Sequence, residues 1–202
     1  SPQEEDRVRT MGFDVANRGS VLWNISPFLE ERKPISPIPE AVYLGNLDWT
    51  KGVDRLLDVA AALDSLRAPP LKLAIYGESR QGNRRFLTDM QQRVCQERLE
   101  NRVEFRGFTA EPEKVLSRAF VLIRPSRDND PWGRDVIEAT TFGVPVLATG
   151  TFQGVVKNGW TGYLFDPFDA MELAKKLIEL LQHRAAWESM CERAKEFGEK
   201  TF

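Results

Sequence analysis

Asp130 and Glu138 stand eight residues apart in DNDPWGRDVIEATTFGVPVLATG, residues 128–150, on either side of a Pro131-Trp132-Gly133 turn. If Asp130 caps a helix and Glu138 lies on its surface, both acids are structural. Against that, Glu138 falls among residues of buried type in VIEATTFGVPV, where an acid seldom sits without a partner. An ionised carboxylate accepts hydrogen bonds bidentately from vicinal hydroxyls, the groups a sugar or a ribose presents. The spacing is about two helical turns, so a ligand reaching both acids lies extended over a helix N-terminus. Gly133 lets the chain approach a ligand and leaves amides facing outward at the start of that helix.

A second cluster is GNLDWTKG, residues 45–52. Gly45 permits a close turn, and Lys51 is expected to open a helix, where its ammonium joins the unsatisfied N–H groups and the positive dipole end. One reading is an anion site of phosphate type and the other a solvated lysine. The GxxxxGK[ST] pattern is absent, so nucleoside-triphosphate hydrolysis is poorly supported.

These clusters require elements to hold them. Apolar β-rich runs alternate with amphipathic ones: AVYLGN, LKLAIYG, RVEFRGF, FVLIRPS, VPVLATG and a short GYLFD read as strands. Between them, Val53, Leu56, Leu57, Ala60 and Leu63 mark one helix face, and 84–98 reads as a second helix. Pro112 suits the first turn of a short third, and the Asp130–Glu138 stretch supplies a turn and a fourth. The tail from Asp169 to about Lys195 is helical, with Asp169 and Glu172 placed to cap it and a break near His183. Such alternation implies right-handed crossovers and an α/β fold, a Rossmann-like parallel sheet with helices on both faces. In an open parallel sheet, ligands sit at the carboxyl ends of the strands, where both clusters fall.

The first forty residues break the rhythm. EEDRVRTMGF reads as a helix end, GSVLWNI as a strand, and ERKPISPIPE as a connector with prolines at 34, 37 and 39. Residues 1–40 are therefore expected to be the end of another domain and a linker, with 41–202 the Rossmann-like domain, in a chain excised from something longer. Its 28 basic against 30 acidic residues, net -2, provide no global field for nucleic acid, so any anion site is local. There is no run of about 20 apolar residues for a membrane span, and a cytoplasmic protein is expected. Cys95 and Cys191 are isolated and read as buried thiols, and no metal-ligand spacing is visible. His183 reads as a surface or helix-end residue.

DPWGRDVIEATTFGVPVLAT, with YLGNLDWTKGVDRLL upstream and NGWTGYLFDP downstream, resembles the carboxyl-terminal, nucleotide-sugar-binding domain of GT-B-fold retaining glycosyltransferases, specifically glycosyltransferase family four (group 1). The resemblance covers about Val42 to the end, and GSVLWNISPF is similar to the family's crossing from its amino-terminal domain. It implies transfer of a sugar from a nucleoside diphosphate to an acceptor hydroxyl with retention, as in polysaccharide biosynthesis. No cofactor is implied beyond the nucleotide-sugar substrate, and no metal. By position, Asp130 and Glu138 match the family's acid pair, the first on the donor sugar and the second on the ribose. Trp132, Gly133 and Arg134 fall beside the sugar and diphosphate, and Gly77, Phe108 and Thr109 near the base. Gly45, Asn46 and Lys51 lie in the loop that clamps the diphosphate; Lys51 and Asp130 are the expected catalytic groups.

Three positions depart from the pattern. Asp130 is a methylene shorter than the family's glutamate, Asn46 stands where an arginine is usual, and Gly154 replaces a later glutamate in a shortened loop. Arg134 either restores the missing cation or forms a surface ion pair with Asp135. The acceptor site is expected in the missing amino-terminal domain, through which peripheral membrane contact is possible, so this chain alone should bind donor but transfer little. A nucleotide-binding module without catalysis and a GT-B-fold sugar-nucleotide epimerase are the other readings.

Overall fold

In a computed structural model, residues 32–79 and 84–202 are described. The expected helix end EEDRVRTMGF and strand GSVLWNI lie outside the described residues. Six strands, β1 (Glu40–Leu44), β2 (Lys72–Tyr76), β3 (Val103–Gly107), β4 (Val121–Arg124), β5 (Val146–Thr149) and β6 (Gly162–Phe165), form one parallel sheet. Their order is β3-β2-β1-β4-β5-β6. The helices are α1 (Arg55–Ser65), α2 (Arg84–Gln96), α3 (Pro112–Leu116), α4 (Arg134–Thr141), α5 (Ala170–Gln182) and α6 (Arg184–Thr201).

Strands β1, β2, β4 and β5 feed both faces of the sheet, because successive side chains point to opposite sides. Tyr43, Ile75, Ile123 and Leu147 join the core beneath α1, α2 and α5. Val42, Ala74, Leu122 and Ala148 join the one beneath α3 and α4. α1 packs on α5, and α4 on α6. Burial on both faces explains why the strands read as near-continuous apolar runs.

Local signals set the ends. Asp169 Oδ1 accepts from the N–H groups of Met171 (2.8 Å) and Glu172 (3.0 Å), starting α5. Glu172 pairs through its side chain with Lys175 instead of reaching back to the cap. His183 separates α5 from α6 and is exposed. Residues 32–39 of the proline-rich connector run without helix or strand. Its Arg32 donates to the carbonyls of Ala119 (2.7 Å) and Gly143 and lies 4.7 Å over the Trp187 ring. Trp187 in turn donates to the Phe120 carbonyl (2.9 Å) and stacks on that ring.

One expectation is corrected here. Cys95 is exposed on α2, because the buried stripe of that helix is carried by Met90 and Val94. Cys191 is half-buried, and burial pushes its thiol up to about 11. No described helix is long and apolar enough to cross a membrane.

Candidate functional site

The sheet order places a topological switch between β1 and β4. The chain builds β1, β2 and β3 to one side, then returns beside β1 and builds β4, β5 and β6 to the other. The loops leaving β1 and β4 meet at the carboxyl edge, where the crevice of such sheets is the usual ligand site.

On the β1–β3 side lies a cavity of about 430 Å³, lined by Gly45, Asn46, Gly77, Glu78, Phe108 and Thr109 together with Leu44, Tyr76 and Pro112. Five sequence-predicted residues, Gly45, Asn46, Gly77, Phe108 and Thr109, are thus brought to one wall. Gly77 has φ +149°, and a Cβ there would lie 1.8 Å from the Gly45 carbonyl oxygen, so the two strand ends touch backbone to backbone. Phe108 is 67% exposed and lines the cavity. Below, the Tyr43 hydroxyl donates to the Asn46 carbonyl (2.6 Å), fixing the β1 exit. Burial, then the nearby carboxylates of Asp135 and Asp48, pushes the Tyr43 phenol upward, so it stays a donor.

Lys51 does not open a helix. It lies in a turn ahead of α1, because Asp48 Oδ1 accepts its N–H (2.9 Å) and the Thr50 hydroxyl (2.6 Å). Its ammonium is 3.6 Å from Asp128 in the loop after β4, bridging the crevice. Arg127 joins the same loops, donating to both Asp54 oxygens (2.7 Å each) and lying 4.4 Å over the Trp49 ring. Its N–H reaches the Thr50 carbonyl (2.9 Å). Although burial opposes ionisation of Asp128, hydrogen bonds from the Ser126 hydroxyl and the Asp130 N–H, with Lys51 nearby, hold its carboxyl below the usual range.

The acid pair divides. Asp130 does not cap α4: its Oδ1 accepts from Trp132 N–H (3.0 Å), closing a tight turn, and Gly133 occupies the cap position. The amides of Gly133 and Arg134 find no acceptor among the described residues, as first-turn amides generally do not. Glu138 is not on the surface but 4% exposed. Burial raises its carboxyl above the ordinary value, against the opposing pull of Arg134. Arg134 Nε donates to Glu138 Oε1 (2.6 Å), while Oε2 meets no donor among the described residues. The expected ion pair of Arg134 with Asp135 does not form, since Asp135 is held instead by Arg124 (2.9 Å). The i,i+4 spacing puts Arg134 and Glu138 on one helical face, whereas Asp135 turns towards the end of β4.

Sequence reasoning missed Arg124, Arg127, Asp48 and Asp54. Arg124 carried a usable signal as the lone charge in FVLIRPS, at the end of a buried strand. Among the described residues no group of three His, Cys, Asp or Glu is arranged to hold a metal. The crevice combines a lysine, free amides and a buried acid with one open oxygen, a set that can hold an anion at one point and hydroxyls at another.

Alpha-D-kanosaminyltransferase of Streptomyces kanamyceticus is 26% identical over 170 residues, 82% of this chain and 42% of that protein. The chain spans less than half the length of the curated relatives it matches. HepE of Anabaena, solved in complex with UDP and glucose, superposes with a TM-score of 0.73 at 25% identity, over 81% of this chain and 44% of that one. The C-terminal domain of LpcC, a group 1 family glycosyl transferase from Francisella tularensis, shares the fold at TM-score 0.70 and 21% identity, over 82% of this chain and 87% of that one. The fold is the Rossmann-like domain of GT-B glycosyltransferases. The family model described as glycosyl transferases group 1 matches residues 30–201, and the chain belongs to that family.

Proposed function

We propose that this chain is the donor-binding domain of a retaining glycosyltransferase of family four, which moves a sugar from a nucleoside diphosphate to an acceptor hydroxyl. The observation that carries the reading is the crevice at the β1/β4 switch, where a cavity fit for a base and an extended acid pair share one sheet edge. The base enters the cavity by Gly77, Phe108 and Thr109, read largely by backbone groups. Glu138 Oε2 accepts from the ribose, and Asp130 faces the donor sugar. The diphosphate lies by Gly45 and Asn46, against Lys51 and the amides of Gly133 and Arg134.

As the bond from the anomeric carbon to the diphosphate oxygen breaks, negative charge grows on the leaving group. Fixed donors already aimed there stabilise it without reorganisation. Lys51 must exchange Asp128 for the phosphate to contribute, which lowers its net benefit. Residues 1–40 are read as the crossing from an amino-terminal domain that carries the acceptor site, with 41–202 as the donor domain.

One observation favours a second reading, a nucleotide-binding module with little turnover. The crevice cations Lys51, Arg124, Arg127 and Arg134 are each paired with an acid. Calorimetric titration with UDP, GDP and ADP and with their glucose or mannose conjugates tests the donor reading. Binding of at least one nucleotide is expected, and binding of none refutes it. Turnover by the chain joined to its amino-terminal domain separates the enzyme from the module.

A further inference from the structure

Arg124 ends β4 with 13% of its side chain exposed, and it faces the turn that carries Asp130. Its Nε donates to the Asp130 carbonyl (3.1 Å), and its Nη1 to both oxygens of Asp135 (2.9 and 3.2 Å). One planar guanidinium thereby holds both ends of the turn, Asp130 before Pro131-Trp132-Gly133 and Asp135 in the first turn of α4. A lysine has no such rigid fork.

This pair lies directly against Gly133, so a larger residue there must push the Arg124–Asp135 pair aside. A Cβ there would meet Asp135 Oδ1 at 2.3 Å and Arg124 Nη1 at 2.5 Å. Its φ of 179° is ordinary extended backbone, so the crowding at this position comes from the pair alone. Asp135 is itself only 16% exposed and has Arg124 as its ion-pair partner, so the two charges act as one unit.

We infer that Arg124, locked to Asp135, is the positioning residue of the donor-sugar turn, fixing the Asp130 carboxylate and the amides of Gly133 and Arg134 against the sugar and diphosphate. The inference rests on the donor-domain reading. A shift of about an ångström in such a shell is enough to lose productive contacts. Because the brace touches neither the cavity at β1–β3 nor Glu138, it should govern how the protein treats the sugar and not how it holds the nucleoside.

The test uses the 202-residue chain and calorimetry with UDP and UDP-glucose, GDP and GDP-mannose, and ADP and ADP-glucose. The readout is the ratio of the two dissociation constants within the pair that binds. Arg124→Met should weaken the sugar nucleotide about tenfold relative to its nucleoside diphosphate, with the nucleoside monophosphate within about twofold of wild type. Arg124→Met with Asp135→Asn leaves no unpaired buried charge, so it carries the test should the single variant fail to fold. It should show the same loss and not a larger one. Arg124→Lys, which keeps the charge without the fork, should recover only part of the ratio. An unchanged ratio in the folded double variant, or equal weakening of all three ligands, overturns the inference while leaving the donor reading intact. If wild-type protein binds none of these nucleotides, the donor reading falls and takes the inference with it.

Discussion

Replacing Glu138 by glutamine should move stability and affinity in opposite directions. Glu138 is 4% exposed, and its one ion-pair partner, Arg134, keeps 70% of its side chain in solvent. Removing the charge leaves no buried cation behind, since Arg134 returns to water. Burial is the largest influence on the Glu138 carboxyl and raises it above the ordinary 4.5. The folded state then binds the proton more tightly than the unfolded one, and stability falls as pH rises from the unfolded value through the folded one. At neutral pH the ionised form is destabilising, so the melting temperature of Glu138→Gln should be higher than wild type. The difference should vanish below pH 4.5, where the carboxyl is protonated in both states.

Affinity works the other way. Oε1 is committed to Arg134 at 2.6 Å, leaving Oε2 as the open acceptor, so one charge-assisted bond to a ribose hydroxyl is at stake. Such a bond contributes about 1.5–3 kcal/mol, roughly ten- to hundredfold in Kd. Calorimetry with the nucleoside monophosphate, alongside thermal melts at two pH values, measures both effects. A more stable variant with unchanged nucleotide affinity would refute the ribose contact, and a less stable one would refute the account of its buried charge.

Asp130→Asn should leave nucleoside diphosphate binding near wild type and weaken only the sugar nucleotide, by about 1 kcal/mol, as measured by paired titrations. Identical behaviour of Asp130→Asn and Glu138→Gln would collapse the division of roles. Gly77→Ala puts a Cβ 1.8 Å from the Gly45 carbonyl oxygen at φ +149°, so it should cost about 2–4 kcal/mol in urea unfolding and close the cavity to nucleotide. Asp169→Ala removes the acceptor of two α5 amides and should cost about 1 kcal/mol, lowering the melting temperature by about 2–4 °C in a thermal melt.

The fold was legible because its signals are local. Six apolar runs separated by amphipathic ones leave little besides a covered parallel sheet, and Pro112, Asp169 and His183 fall where their chemistry places them, at helix ends. Helix α2 ends at Gln96, two residues short of its sequence-expected limit, with Arg98 at φ +57° beyond it. Gly45, Asn46, Gly77, Phe108 and Thr109, which the family resemblance divided between diphosphate loop and base, line one cavity because each follows a strand and parallel strands end on a common edge.

What sequence could not give was which charge meets which. Lys51 looked like a helix opener, but Asp48, three residues earlier, captures its amide, and Asp128 from another loop meets its ammonium. Arg134 has acids at positions 135 and 138, and only the helical phase of α4 and the arrival of Arg124 from β4 decide between them. Cys95 reverses in burial from its expectation, while Glu138 is buried as its neighbours suggested, because a side chain's exposure depends on the element packed over it. The amino-acid sequence alone determines the rhythm of strands and helices, since period and turn chemistry act between near neighbours. The pairing of Lys51 with Asp128 and of Arg127 with Asp54 depends on tertiary structure, because the sheet order sets β1 beside β4 and brings together loops far apart in the chain, 73 residues in the second pair. Arg124 meets Asp135 for a related reason: α4 folds back over the end of the strand that precedes it, which no spacing between near neighbours announces.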